Sequence, residues 1–323
     1  MCTSIIFRGK DNYFGRNLDL EYRYREEVTV MPRQYTLEYR NGACMKKHYA
    51  IIGMATVVSG YPLYYDATNE IGLSIAGLNF EGNAWYGSFV EGQVNIASFE
   101  LLPWILGKCS SVREAVEMLN TINITNEAFS SQYPPSALHW MVADKRECIT
   151  VEAMRTGLRI HDNKVGVLTN NPPFEYQMIN LANYMNVTAE DGNNRMLPDI
   201  NIKKYSRGMG GIGLPGDMSS MSRFVRAAFC KCNSVVSDSE EKSISQFFHI
   251  LDNVGQVEGC VRTKVGNERT QYSSCCNVDR GIYYYKTYGN SQINAVDMHH
   301  CDLDGSELIG YEIEDRENVW YRN

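Results

Sequence analysis

The chain has 323 residues, of which 44% are hydrophobic and 11% aromatic, enough for a sizeable core in one large domain or in two. A formal net charge of −7 gives no basic surface for nucleic acid. No run of about 18 apolar residues occurs, and the apolar stretch before Arg8 is too short for a secretory signal. We therefore expect a cytoplasmic protein without membrane insertion.

Short, largely apolar segments predict strands in the first part of the chain, separated by turn residues such as Asp11-Asn12. These predicted strands cover residues 3–8, 13–19, 27–31, 49–57 and 71–78. A helix is predicted after Ser111, because Ser111 and Glu114 have the spacing of a capping box ahead of an apolar stripe.

The rest of the chain alternates between groups of strands and groups of helices. Strands are predicted at residues 138–143, 148–153 and 164–169, helices at 174–184, 222–232 and 243–254, and strands again at 271–278 and 281–288. This order favours antiparallel or mixed sheets with helices packed outside over regular βαβ alternation. No linker or repeat interrupts the pattern. We expect an α+β fold, with two stacked and mainly antiparallel sheets between helical layers, in a single catalytic domain over residues 1–323.

The ten cysteines are expected to be mostly buried free thiols, because a reducing compartment disfavours structural disulfides. Pairs late in the chain lack the CxxC spacing of zinc or redox sites. His299, His300 and Cys301 could bind a metal, but three adjacent ligands cannot all face one ion without a strained backbone. The sequence therefore predicts no metal site.

Cys2 differs from the other cysteines by its position behind the initiator methionine. Removal of Met1 would leave a nucleophilic thiol and a free α-amine on one residue, and an α-amine has a reference pKa of about 7.7–8.0. Such an amine can take the thiol proton and return it to a leaving amine. Arg16 and Asp19 lie on a predicted strand that could pair with residues 3–8, where they would stabilise the thiolate and hold the amine. An unreactive thiol and a surface ion pair are the alternatives.

Six motifs occur in a fixed order along nearly the whole chain. They are Met1-Cys-Thr, Gly15-Arg-Asn-Leu-Asp19, Asn69-Glu-Ile-Gly-Leu73 with Ala76-Gly-Leu-Asn-Phe80, Leu168-Thr-Asn-Asn-Pro172, Gly213-Leu-Pro-Gly-Asp217 and Ser222-Arg-Phe-Val-Arg226. Together with the later run from Asn290 to Asp297, they resemble the choloylglycine hydrolases, which are the bile salt hydrolases and penicillin V acylases of the N-terminal nucleophile superfamily. The resemblance implies a four-layer αββα sandwich.

The resemblance also implies catalytic roles, residue by residue. Cys2 would be the nucleophile after removal of Met1, and its amine the acid and base. Arg16 would contact the thiolate, Asp19 would orient the amine, and Arg223 would add electrostatic support near the nucleophile.

Two asparagines complete the implied site. Asn79 and Asn170 would supply the oxyanion hole, which needs fixed donors aimed at the charge that develops on the attacked oxygen. An asparagine at position 79 resembles the bile salt hydrolases, whereas penicillin V acylases commonly carry tyrosine there.

We therefore expect hydrolysis of the amide of glycine- or taurine-conjugated bile acids through a thioester, with no metal or organic cofactor. By resemblance, the residues that line the steroid pocket, or else simply pack in the core, are Leu18, Val58, Tyr65, Phe129, Tyr133 and Leu138. Arg207 would either meet the anion of the conjugate or face solvent.

Two other functions stay open from the sequence. One is a penicillin V or N-acyl-homoserine-lactone acylase with the same machinery, and the other is a non-catalytic, thiol-rich binding protein on the same fold. The resemblance further implies a homo-oligomer, a tetramer. Residues 185–205 form a long segment that could serve as an assembly arm.

Overall fold

The computed structural model describes residues 1–323 and contains nineteen strands and five α-helices. The strands in chain order are β1 (Cys2–Arg8), β2 (Asn12–Leu20), β3 (Glu27–Met31), β4 (Leu37–Glu38), β5 (Cys44–Met45), β6 (Ile51–Val58), β7 (Tyr61–Asn69), β8 (Ser74–Asn79), β9 (Val94–Ala97), β10 (Ile122–Thr125), β11 (Leu138–Ala143), β12 (Cys148–Met154), β13 (Gly157–Asp162), β14 (Val167–Leu168), β15 (Val261–Arg262), β16 (Asn267–Asn277), β17 (Ile282–Thr287), β18 (Asn294–Asp297) and β19 (Ile309–Glu312). The helices are α1 (Leu101–Lys108), α2 (Val112–Leu119), α3 (Phe174–Leu181), α4 (Ser220–Asn233) and α5 (Glu240–Asp252). None of these helices is long and apolar enough to cross a bilayer.

Two large sheets contain most of the strands, and every pairing within them is antiparallel. Sheet A has the order β14-β1-β2-β16-β17-β18, with β15 paired to β16. Sheet B has the order β13-β12-β11-β8-β7-β6-β3-β19. The predicted β1–β2 pairing is confirmed, and it joins the two strands that carry the N-terminal motifs.

Strand β6 shows how sheet B is buried on both faces. Ile52 and Met54 belong to the hydrophobic core shared with sheet A, whereas Ile51 and Ala55 belong to a second core that includes Ile105 of α1. Successive side chains of a strand point to opposite faces, so one strand can serve both cores. Sheet B therefore lies between sheet A and the helix pair α1 and α2.

Helices α4 and α5 cover the other face of sheet A. Phe224 of α4 and Phe247 of α5 are fully buried in the same core as Ile5 and Tyr272 of sheet A. The layers are thus helices, sheet A, sheet B and helices, which is the predicted αββα sandwich.

The predicted strand over residues 71–78 begins later, at Ser74. The Asn69 side chain accepts hydrogen bonds from the backbone N–H groups of Ile71, Gly72 and Leu73, and Gly72 has a φ of 102°. This side chain holds residues 69–73 in a turn, as asparagine does in competition with strand pairing. Strand β7, which leads into the turn, was missed by the sequence pattern.

Candidate active site

The β1–β2 hairpin places Cys2 beside the other predicted catalytic residues. Its register pairs Cys2 with Leu18 and Ser4 with Arg16, so these side chains share the face toward sheet B. Thr3, Asn17 and Asp19 alternate with them and face the helices. In agreement, Arg16 Nη1 donates to the Tyr65 carbonyl of sheet B, and Asn17 Nδ2 donates to the Leu251 carbonyl of α5. Residues on the sheet B face of the hairpin therefore approach the Cys2 thiol, and residues on the helix face approach its backbone nitrogen.

The thiol of Cys2 lies at one wall of a cavity of about 500 Å³. Cys2 is only 3% exposed, and Arg16, Leu18 and Asn79 line the same cavity. The rest of the lining is largely apolar and aromatic. This arrangement presents a buried nucleophile to a ligand with a large apolar surface.

Arg16 is fully buried beside the thiol. Its Nη1 donates to the Tyr65 and Gly77 carbonyls, while Nη2 has no partner within the chain. Burial alone would lower the pKa of this guanidinium, but its electrostatic interactions with Cys2, Tyr272 and Asp66 outweigh burial and raise that pKa above its usual range. Arg16 is thus a permanent positive charge next to the sulfur.

The backbone nitrogen of Cys2 donates to Asn170 Oδ1 at 2.8 Å. Asp19, which is also fully buried, accepts a hydrogen bond from Thr270 Oγ1 at 2.7 Å through Oδ1, whereas its Oδ2 has no donor. Burial raises the pKa of the Asp19 carboxyl, against the opposing effect of Arg223 and the N-terminal amine. The Met1 amine donates to the Asp19 carbonyl at 2.7 Å and contacts the Glu268 carboxylate.

Arg223 lies on the helix side of the hairpin and is fully buried as well. Nη1 contacts the Cys2 carbonyl and donates to Thr3 Oγ1 at 2.7 Å, and Nη2 donates to Asn170 Oδ1 at 2.7 Å. Burial lowers the pKa of this guanidinium, although Asp19 and Cys2 oppose the shift. Arg223 thus links α4 to the backbone of β1 and to Asn170.

The two asparagines are placed differently. Asn79, at the end of β8, is exposed to the cavity and its carboxamide forms no hydrogen bond within the chain. The Asn170 carboxamide has its oxygen on Cys2 N and its Nδ2 on the Asn79 carbonyl at 2.8 Å. Asn79 therefore presents a free donor in the cavity that Cys2 lines, and Asn170 is bound to the backbone nitrogen of Cys2.

Five of the predicted substrate residues line the cavity, and two do not. Those that line it are Leu18, Tyr65, Phe129, Tyr133 and Leu138. Val58 lies at the end of β6 and does not line the cavity, although Thr56 of the same strand does. Arg207 is exposed on the loop before the 3₁₀ turn Met209–Gly211, also away from the cavity. The cavity lining therefore gives no support to the substrate contacts that the resemblance implied for these two residues.

A loop that the sequence analysis did not assign forms one wall of the cavity. Gln132 and residues 134–137 line the cavity together with Phe129. The Arg40 guanidinium lies over the Phe129 ring, 5.4 Å from its centroid, and also donates to the Phe129 carbonyl. The Pro134-Pro135 pair was the available signal, since two prolines stiffen a loop without forming a helix or strand.

A buried thiol at the start of a sandwich strand, with an arginine beside it and an asparagine donor in the same cavity, is consistent with an amide hydrolase that has an N-terminal nucleophile. The chain belongs to the choloylglycine hydrolase family of linear amide C–N hydrolases, whose family model matches residues 2–311. The match confirms the family and the enzyme class predicted from the motifs.

Relatives over nearly the full length agree with this assignment. The chain is 54% identical, over 314 residues, to the bile salt hydrolase/transferase of Lactiplantibacillus plantarum, and the match covers 97% of each chain. It is 38% identical to the bile salt hydrolase/transferase of Clostridium perfringens, again with 97% of each chain covered.

Solved structures confirm the predicted fold. The C2A mutant of the conjugated bile acid hydrolase from Clostridium perfringens superimposes with a TM-score of 0.93, at 36% identity and with 100% of both chains covered. The penicillin V acylase of Agrobacterium tumefaciens has a TM-score of 0.78 at 20% identity, covering 96% of this chain and 91% of that one, and it supports the fold alone.

Proposed function

We propose that the protein hydrolyses the amide bond of glycine- or taurine-conjugated bile acids, with Cys2 as the nucleophile. The observation that carries this proposal is the largely apolar cavity with the Cys2 thiol and the free Asn79 donor at its wall. A bile acid has one broad apolar face, and burying about 200 Å² of it contributes about 5 kcal/mol at the usual transfer coefficient. Relatives at 54% and 38% identity are named bile salt hydrolase/transferase.

Activity requires removal of Met1. The peptide nitrogen of Cys2 then becomes an α-amine that keeps its hydrogen bond to Asn170 Oδ1. Asp19 Oδ2, which has no donor while Met1 is present, accepts a second hydrogen bond from the new amine. The amine is thereby oriented to exchange a proton with the thiol of its own residue.

The reaction follows from these positions. The amine takes the Cys2 proton, Arg16 stabilises the thiolate, and the sulfur attacks the amide carbon. Asn79 donates to the oxyanion, which is the charge that appears only on the way to the tetrahedral intermediate. The ammonium then protonates the leaving glycine or taurine nitrogen, and water hydrolyses the thioester to release the bile acid.

We assign Asn170, Asp19 and Arg223 to orientation of Cys2. Asn170 Oδ1 faces the nitrogen of Cys2, and Arg223 binds both this oxygen and the Cys2 carbonyl. This role differs from the oxyanion donor that the resemblance implied for Asn170.

A kinetic panel tests the proposal. Glycocholate and taurocholate should be turned over with kcat/KM at least about tenfold above penicillin V, a difference of about 1.4 kcal/mol in transition-state binding. Intact mass should show loss of Met1 and an unblocked Cys2. Preferential turnover of penicillin V, or of an N-acyl-homoserine lactone, would assign the cavity to the other acylases, and an active protein that retains Met1 would contradict the mechanism.

A second activity follows from the thioester, and the relatives' names, which include transferase, favour it. An amino acid amine that enters in place of water would form a new bile acid amide. Incubation of glycocholate with a second amino acid at high concentration, followed by mass spectrometry, should detect the exchanged conjugate. Detection of free bile acid alone would restrict the enzyme to hydrolysis.

We further propose a homotetramer that covers the exposed apolar side chains of residues 185–205. Met185, Met196 and Tyr205 are 81%, 82% and 82% exposed, and a monomer rarely leaves such a series in water. Light scattering should give four times the chain mass, and Met196→Glu with Tyr205→Glu should lower it. A monomeric wild type would contradict this assembly.

The ten cysteines support a cytoplasmic location. All are free, and Cys44, Cys232 and Cys260 are exposed, a pattern typical of a reducing compartment. Cell fractionation should recover activity with cytoplasmic markers, and recovery outside the cell would contradict this location.

A further inference from the structure

We infer that His139 and Glu152, which lie behind the cavity, form a positioning pair that fixes the positions of Asn79 and Asn170 relative to each other. Both side chains are fully buried, on neighbouring strands β11 and β12. His139 Nδ1 lies 3.2 Å from Glu152 Oε1. The inference rests on the roles proposed above for the two asparagines.

The first link is to Asn170. His139 Nε2 lies 2.9 Å from the Thr169 carbonyl, the residue immediately before Asn170. A carbonyl oxygen can only accept, so Nε2 carries a proton and donates it. Glu152 Oε1 accepts the Phe174 N–H at 2.9 Å. The pair therefore fixes both ends of residues 169–174, the segment that carries Asn170.

The second link is to Asn79. The His139 ring stacks on Phe80, the next residue after Asn79, with the ring centroids 4.2 Å apart and the planes at 7°. In the β8–β11 register, Leu138 pairs with Asn79 and His139 with Leu78. One imidazole thus contacts the neighbours of both asparagines, although Asn79 ends a strand of sheet B and Asn170 lies in the loop after a strand of sheet A.

The pair is not explained by core stability alone. Taking a histidine and a glutamate out of water is costly, and apolar side chains of the same size would often stabilise the core as well or better. Glu152 Oε2 has no hydrogen-bond donor, and His161 Nε2 lies 3.4 Å from it. A buried polar pair in this position is explained by the orientation that it gives to the Thr169 carbonyl and the Phe174 N–H.

Two substitutions of His139 separate orientation from packing. His139→Asn can keep a polar contact to Glu152 but removes the donor to Thr169, whereas His139→Gln extends an amide N–H toward that carbonyl. We expect His139→Asn to lower kcat for glycocholate at least about tenfold with KM within about twofold, because the affected contacts orient the nucleophile and the oxyanion donor and do not bind the substrate. His139→Gln should recover most of this loss.

His161→Asn is the matched control, because His161 approaches the same carboxylate without contacting Thr169, and it should leave kcat unchanged. Glu152→Gln tests the inference independently, because it changes the charge with little change of shape. We expect kcat to fall at least about threefold at unchanged KM. Wild-type kcat in His139→Asn or in Glu152→Gln would overturn the inference. Equal losses in His139→Asn and His139→Gln, or in His139→Asn and His161→Asn, would also overturn it.

Asn170→Ala, measured in parallel, separates the inference from the proposed function. Full activity in Asn170→Ala would overturn the proposed role of Asn170 and this inference with it. An impaired Asn170→Ala beside a fully active His139→Asn would overturn the inference alone.

Discussion

Two fully buried arginines flank Cys2 on opposite faces of the β1–β2 hairpin, and they are held differently. Arg16 faces the cavity with one nitrogen unpaired, and its electrostatic interactions with Cys2, Tyr272 and Asp66 raise its pKa in spite of burial. Arg223 extends from α4 to the helix-facing side of the hairpin, where it donates to oxygens of Cys2, Thr3 and Asn170. Burial lowers its pKa. Stabilisation of the thiolate and orientation of the amine are therefore assigned to separate faces.

The comparison of the two arginines depends first on Cys2, whose thiol lies on the Arg16 side and whose backbone lies on the Arg223 side. Cys2→Ala should reduce kcat by more than about a thousandfold with the fold intact, and Cys2→Ser should be severely impaired because a hydroxyl is far less acidic than a thiol. Glycocholate turnover and circular dichroism measure the two properties. Near-normal turnover in Cys2→Ala would show that Cys2 is not the nucleophile.

The next largest effect concerns the cavity face. Asn79→Ala should lower kcat about a hundredfold with a modest change in KM, because the lost donor acts on the oxyanion. The rate at which iodoacetamide labels Cys2 should not change, since Asn79 forms no hydrogen bond to the hairpin. A rise in KM alone would make Asn79 a substrate-binding residue, and so would contradict its assignment.

Exchange of each arginine for lysine tests directly whether thiolate stabilisation and amine orientation belong to separate faces of the hairpin. Arg16→Lys should slow iodoacetamide labelling of Cys2 about tenfold at neutral pH, because a lysine cannot hold the same fixed charge at the sulfur while bound to two carbonyls. Arg223→Lys should leave labelling within about threefold but lower the unfolding temperature by about 5 °C, since bonds across β1, α4 and Asn170 are lost. The same response in both variants would remove the distinction between the faces.

The smallest effect is expected outside the site. Arg207→Ala should leave kcat/KM for taurocholate and glycocholate within about twofold of wild type, because Arg207 does not line the cavity. A selective tenfold loss for taurocholate, about 1.4 kcal/mol, would show that this loop reaches the conjugate during turnover.

Local pattern was sufficient for the hairpin that carries Cys2, Arg16 and Asp19, because neighbouring strands joined by a short turn need no long-range information. It was also sufficient for the Ser111 cap of α2, whose side chain accepts from Glu114 N. It failed for α1, which is apolar on nearly every side and so has no stripe to detect. The order of the predicted elements was sufficient for the fold class, but individual strands such as β7 and β13 were not predicted.

The motifs predicted which residues form the site, but not how their side chains are oriented. The different positions of Asn79 and Asn170 depend on which way a carboxamide points, and this is decided by contacts between β8, the loop after β14 and α4. The His139–Glu152 pair had no sequence signal, since the contact to Thr169 joins residues that are 30 positions apart. Val58 does not line the cavity although Thr56 of the same strand does, because spacing along the chain does not determine which side chains line a pocket.

The contacts of the Met1 amine limit how the protein can be engineered. Its amine is bound to the Asp19 carbonyl and to Glu268, so a purification tag added there would enter the space beside the nucleophile and block the aminopeptidase that must release Cys2. The other end of the chain, residues 314–323, is exposed, and none of these residues lines the catalytic cavity. Affinity tags, fluorophores and surface-immobilisation handles therefore belong at the carboxyl terminus.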